Sequence, residues 1–277
     1  MHVNRSLDPN FAISLDMLQF SFSVPAVPPA FAPLTPRPTG PPPSPPLARP
    51  VSTPVRRTWQ AGVMPEMPPS AKATLTSLPY RLFARRIILP WILQDVRPTG
   101  EGLEIGAGVG AMSAQLLTLF PKFRMVATDC DAELVGMAEQ VLSGFGRRAS
   151  VQRADAARLP FQDGRFDLVL SAAMLHHVVD WDQALAEAVR VLRPDGRLVG
   201  YDMLDTVPIR LIHVGERDTT SLLRAAQLKA ALGRLGLTGL QMRTAVGGTV
   251  MRFSASKPGP EVAGSAYGPS DPDPSGA

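Results

Sequence analysis

The sequence predicts an α/β fold, a mostly parallel sheet with helices on both faces. Three observations carry this reading. Short apolar runs alternate with helix-period segments between residues 100 and 235. Those runs are almost continuously apolar, as strands buried on both faces are. Two last strand-like runs flank Gly247-Gly248, the signature of a hairpin that makes one late strand antiparallel.

Composition divides the 277 residues. Of 29 prolines, 17 fall in the first 70 residues, and a stretch such as Pro41-Pro42-Pro43-Ser44-Pro45-Pro46 lacks both backbone donors and an apolar period. Residues 1–74 are therefore expected to be a Pro-rich, disordered N-terminal segment, unless translation begins at Met64 or Met67 and residues 1–63 are not part of the product. Residues 258–277, with Pro258, Pro260, Pro269, Pro272 and Pro274, are expected to be a disordered tail. Residues 75–257 remain, enough for one domain with a sizeable core.

The elements follow in order. Pro79 suits the first turn of a helix through Leu82, Phe83 and Arg86 to Leu89, where Pro90 is expected to disturb it. Strand one is Gly102 to Ile105, followed by a glycine loop, Gly106 to Gly110, and a helix to Phe120 with Met112, Leu116 and Leu119 on one face. Phe123 to Thr128 is strand two, Asp131 to Phe145 a helix, Ser150 to Ala154 strand three, and Phe166 to Ala172 strand four. Asp180 is placed to N-cap a helix to Leu192, which Pro194-Asp195-Gly196 ends. Arg197 to Tyr201 is strand five, Ser221 to Leu235 a helix, and the hairpin strands are about Leu240 to Val246 and Thr249 to Ser256.

Charge narrows function little. The formal net charge is +4, and the basic pairs Arg56-Arg57, Arg85-Arg86 and Arg147-Arg148 lack the interleaved aromatics of a nucleic-acid groove, so no nucleic-acid partner is expected. The single cysteine, Cys130, excludes an intrachain disulfide and fits a reducing, cytoplasmic setting. Phe11 to Ala32 is apolar but interrupted by Asp16 and Gln19, with only Arg5 ahead of it, so neither a signal peptide nor a membrane span is expected. No His/Cys/Asp set has the spacing of metal ligands, and His176-His177 are adjacent rather than one helical turn apart, so no metal is expected. Nor is an obligate protein partner evident.

In open parallel sheets, chemistry gathers at the carboxyl ends of the strands. After strand one comes Glu104-Ile105-Gly106-Ala107-Gly108-Val109-Gly110, glycines that let a ligand approach the backbone at a helix N-terminus. Asp129 ends strand two, where a carboxylate can accept both hydroxyls of a ribose; taken alone, loop and carboxylate fit a dinucleotide equally well. Asp155 follows strand three and can accept an adenine amine, with Ala156 beside the ring, although a surface cap is the plainer role. His176 and His177 follow strand four, and Asp202 ends strand five.

Taken in sequence, the Glu104–Gly110 loop, Asp129, Asp155 with Leu159-Pro160-Phe161 and Phe166-Asp167-Leu168-Val169, Leu175-His176-His177-Val178, and Val191-Leu192-Arg193-Pro194-Asp195-Gly196 resemble the class I S-adenosylmethionine-dependent methyltransferases, type 11. The resemblance is strong over residues 100 to 203. It implies a Rossmann-like seven-stranded sheet of order 3-2-1-4-5-7-6, strand seven antiparallel, and S-adenosyl-L-methionine as cofactor. It implies Gly106, Ala107, Gly108 and Gly110 as the loop against the methionine part, with Glu104 orienting that loop and the ammonium group. Asp129 would hold the ribose, Cys130 would lie beside adenine, Asp155 and Ala156 would meet its edge, and Ser171 would face the methionine.

Transfer to a small-molecule acceptor is the expected reaction, with His177 or His176 as a base if the acceptor is a hydroxyl and Asp202 orienting it. The same histidines serve equally well as helix-capping or pocket-shaping residues. Trp181 and Trp91 are candidates for the pocket, with packing the plainer role for Trp181. The Leu204–Thr220 segment, with Arg210, His213, Glu216 and Arg217, reads as a small lid over the acceptor side, and His213 in it as a loop histidine. Three rivals stand beside this reading: a nicotinamide-dependent oxidoreductase, a nucleic-acid or protein methyltransferase, and a silent cofactor-binding interaction protein.

Overall fold

A computed structural model of the chain describes residues 69–94, 96–213 and 220–259. The expected disorder of 1–68 and 260–277, the alternative starts Met64 and Met67, and Arg56-Arg57, Glu216 and Arg217 lie outside the described residues.

Seven strands form one sheet in the order β3-β2-β1-β4-β5-β7-β6. They are β1 (Glu101–Ile105), β2 (Arg124–Asp129), β3 (Ala149–Arg153), β4 (Phe166–Ala172), β5 (Leu192–Met203), β6 (Thr238–Ala245) and β7 (Val250–Ser256). Strands β1 to β5 pair in parallel, while β7 runs antiparallel to both β5 and β6. The order reverses between β1 and β4, which opens a crevice at their carboxyl ends.

Side chains alternate across the sheet with the two-residue period of a strand. Leu168 and Leu170 pack on one face with Leu116 of α4 (Ala111–Leu119) and Leu142 of α5 (Ala132–Leu142). Val169 packs on the other with Leu185 of α6 (Trp181–Val191) and Leu228 of α8 (Ala225–Arg234). Both cores are built from fully buried Leu, Ile, Val and Phe side chains, each contributing on the order of 1.5–3 kcal/mol. Trp181 packs against the α6 side of the core, and Trp91 stacks edge-on to Tyr201 at 6.2 Å; neither reaches the functional cavity.

Four differences from the sequence reading have physical causes. Among the described residues the first helix is α1 (Pro69–Thr76), so residues 69–74, expected to be disordered, are helical. Pro90 does not end its helix: α2 (Leu78–Phe83) continues through a π-helical turn, Ala84–Ile88, into α3 (Leu89–Leu93). The wide turn lets the Leu89 N–H reach the Ala84 carbonyl, and the ring that lacks an N–H is absorbed there. Strand β5 runs through Pro194-Asp195-Gly196, because Asp195 takes φ +63° and its N–H donates to the Lys257 carbonyl. The segment after β5 contains a short helix, α7 (Val207–Ile212).

Candidate functional site

The glycine loop is shaped by its own backbone. Gly106, Gly108 and Gly110 all take positive φ, and a Cβ on Gly106 would lie 2.2 Å from Met174 Cγ. The Ala107 N–H donates to the Thr128 carbonyl at 2.8 Å, and the Thr128 hydroxyl donates to the Glu104 carbonyl at 2.9 Å, so β2 ties the start of the loop to the end of β1.

Two carboxylates brace it from beneath. Asp129, at the end of β2, accepts the Gly108 N–H at 2.8 Å through Oδ2 and the Asp131 N–H at 3.0 Å through Oδ1. Burial raises its pKa against those two bonds. Glu104 is only 2% exposed, and its Oε2 accepts both the N–H and the hydroxyl of Ser113, at 3.0 and 2.5 Å. Burial pushes the Glu104 carboxyl up to about 7, with the Asp129 charge adding to the rise and the Ser113 bonds opposing it. Ser113, on the first turn of α4, escaped the sequence reading because a serine in an apolar helix carries no motif.

Glu104, the loop and Asp129 line one cavity with about 1080 Å³ of non-protein space, its open mouth included. Cys130, Ala154 and Ala156 form one end of the wall; Ala172, Ala173, Met174 and His177 form the other. The Cys130 thiol is pushed up to about 12, chiefly by burial, so it is not a thiolate nucleophile. Leu75 of α1 and Tyr80 of α2 close the remaining side. Lys72 fastens α1 to the start of α5, through Asp131 at 2.6 Å and Glu133 at 2.9 Å.

Two expected residues stand elsewhere. Ser171 is buried between β1 and β5, off the cavity wall, and its hydroxyl has no partner among the described residues. The wall begins one residue later, at Ala172, because alternate side chains along β4 point to opposite faces. Asp155 is also off the wall. Its Oδ1 accepts the Ala157 N–H at 2.9 Å in a local turn, and its charge still reaches the Cys130 thiol.

The wall after β4 is built from histidines. His176 and His177 lie on a short 3₁₀ turn, Leu175–His177, after β4. Asp202, fully buried at the end of β5, accepts the Leu175 N–H at 2.8 Å and meets His176 Nδ1 at 2.5 Å. His177, not His176, lines the cavity, and the two rings lie 4.0 Å apart. Burial lowers the His177 pKa to about 3, helped by the neighbouring His176 and His213. His213, expected to be a loop histidine, is buried at the end of α7, its ring centroid 5.4 Å from that of His176 and 6.1 Å from that of His177. Spacing along the chain does not show this third imidazole, since the β5–α7 connection brings it back across 36 residues.

Known proteins resemble this chain in sequence and in fold. Residues 103–200 match the family model described as a methyltransferase domain. A ubiquinone/menaquinone biosynthesis C-methyltransferase of Hahella chejuensis is 38% identical over 107 residues, covering 38% of this chain and 43% of that protein. A malonyl-(acyl-carrier protein) O-methyltransferase of Geobacter sulfurreducens is 40% identical over 113 residues, covering 40% and 41%. The chain thus spans less than half the length of these curated relatives. The PH0226 protein of Pyrococcus horikoshii superposes with a TM-score of 0.55 at 19% identity, over 66% of this chain and 93% of that one, a likeness of fold. Residues 103–200 are thus similar to a methyltransferase domain, and they carry the parallel core of the seven-stranded sheet.

Proposed function

We propose that the protein transfers the methyl group of S-adenosylmethionine to a small-molecule acceptor. One observation carries this: a single cavity has the glycine loop and two buried carboxylates at one end and an imidazole at the other. Gly106, Ala107 and Gly108 would lie along the methionine part, and Glu104 would face its ammonium group. Asp129 would take the ribose hydroxyls on the lone pairs left beside its two backbone bonds. Cys130, Ala154 and Ala156 would flank adenine, and Asp155, held in its turn off the wall, would act on that end only through its charge.

The reaction is an in-line displacement. The acceptor's lone pair forms the new bond to carbon while the carbon–sulfur bond breaks and its electrons return to sulfur. The methyl is already activated, so alignment is the main contribution, worth about 7–11 kcal/mol in favourable cases. An acceptor hydroxyl must also lose a proton, and a positioned base contributes about 10²–10⁴-fold. The proposed acceptor end is the His177 wall, with His176 behind it held in one orientation by Asp202. The names of the matched relatives, a quinone-pathway enzyme and an acyl-carrier-protein O-methyltransferase, fit acceptors of low molecular weight or their carrier-bound forms.

The test has two arms. Calorimetry should show one S-adenosylmethionine bound per chain, with the affinity at least tenfold weaker in Asp129→Ala. Methyl-labelled cofactor incubated with a metabolite extract should give a labelled product of small mass. Binding without any labelled product, with label instead in added protein or RNA, refutes the small-molecule reading; no binding refutes the cofactor assignment.

A further inference from the structure

We infer that His176, His177 and His213 form a three-histidine site for a divalent transition-metal ion of the zinc class, at the acceptor end of the cavity. One ring nitrogen of each lies within 4.8 Å of those of the other two. A metal bound at ~2.0–2.1 Å to three imidazoles in tetrahedral geometry holds their nitrogens about 3.4 Å apart. The rings must therefore draw in by about 1.5 Å at most, which small side-chain rotations supply.

The surroundings are those of a metal site. A ligating histidine ordinarily donates its other ring N–H to a carboxylate or a backbone carbonyl, which fixes the tautomer and aims the lone pair at the ion. Here His176 Nδ1 meets the Asp202 carboxylate at 2.5 Å, and His213 Nδ1 meets the Ile209 carbonyl at 2.9 Å. With the proton on Nδ1 of His176, its lone pair sits on Nε2. The backbone is fixed as well: the His176 carbonyl accepts the Ser221 N–H at 2.6 Å, and the His177 N–H donates to the Met174 carbonyl at 2.9 Å. Three neutral nitrogen donors and one buried carboxylate behind them suit a borderline dication better than Mg²⁺ or Ca²⁺, which take oxygen ligands.

Three protein ligands leave a fourth position, as catalytic sites of this kind do. His177 is on the cavity wall, so that position faces the cavity. If the methyltransferase reading holds, the fourth ligand is the acceptor's own heteroatom, a hydroxyl or thiol presented by a molecule able to bind a metal. The metal site itself does not depend on that reading.

The full chain, stripped with a chelator, should be titrated with Co²⁺ and followed by its visible d–d absorption, with Zn²⁺ calorimetry alongside. One ion per chain is expected, with the intense bands of a low-coordinate nitrogen site. His213→Ala and His177→Ala should each abolish the bands or weaken binding at least tenfold while circular dichroism stays native. Asp202→Asn, which removes no ligand, should weaken binding about 10–100-fold. Two variants guard against one failing to fold, and S-adenosylmethionine calorimetry on the same samples keeps failure of the cofactor reading separate from failure of the metal site. No Co²⁺ bands in the wild type, or full-strength bands in both folded histidine variants, overturns the inference.

Discussion

Glu104→Gln removes a buried charge from beneath the glycine loop and keeps an oxygen for the Ser113 N–H and hydroxyl. In the folded chain the Glu104 carboxyl titrates at about 7, against an ordinary 4.5, chiefly because it is buried. Between those values the folded state holds a proton that the unfolded state has released. The contribution to stability is therefore complete below the unfolded value and is lost as pH rises through the folded one. At about 1.36 kcal/mol per pH unit, the loss approaches about 3 kcal/mol. Urea unfolding of the cofactor-free protein should show wild type and variant close together near pH 5. Near pH 8 the variant should be more stable by up to about 3 kcal/mol. The same variant should bind S-adenosylmethionine more weakly near pH 8, because the cofactor's ammonium loses its counter-charge. Parallel stability curves for the two proteins across this range would refute the argument that Glu104 is held uncharged by burial.

Two further outcomes are expected. Gly106→Ala should lower the Tm and the cofactor affinity together. Its φ of +67° costs about 1–3 kcal/mol in a residue with a Cβ, and that Cβ must displace Met174; an unchanged melting curve would show that the loop adapts freely. Lys72→Ala should release α1 from Asp131 and Glu133 and speed cofactor exchange in stopped-flow measurements. Added salt should speed the wild type toward the variant, and equal rates at low salt would show that α1 does not gate the cavity.

The sheet and the loop and carboxylate at its crevice were legible because each depends on local signals. Phe166 to Ala172 reads as a strand from composition alone and is one. The glycines of the loop announce positive φ, and Asp129 announces itself by ending a strand. What stayed hidden depends on partners distant in the chain. Pro90 reads as a helix end unless the π-helical turn before it is known. Ser171 and Ala172 cannot be told apart as wall residues without the strand's exact register. His213 looks like a loop residue until α7 folds it against His176, and neither the Asp202–His176 contact nor the Lys72 clasp has a spacing to detect.

The order of the sheet also divides the chain's inheritance. The loop, Glu104, Asp129, Ala154 and Ala156 fall within residues 103–200, the stretch that matches a methyltransferase domain. Tyr80, Asp202 and His213 fall outside it. The cavity wall thus draws on both stretches, since Ala172, Ala173, Met174 and His177 also lie within residues 103–200. Exchanging the α1–α3 and α7 segments between relatives would change Tyr80 and His213 and leave the His177 wall in place.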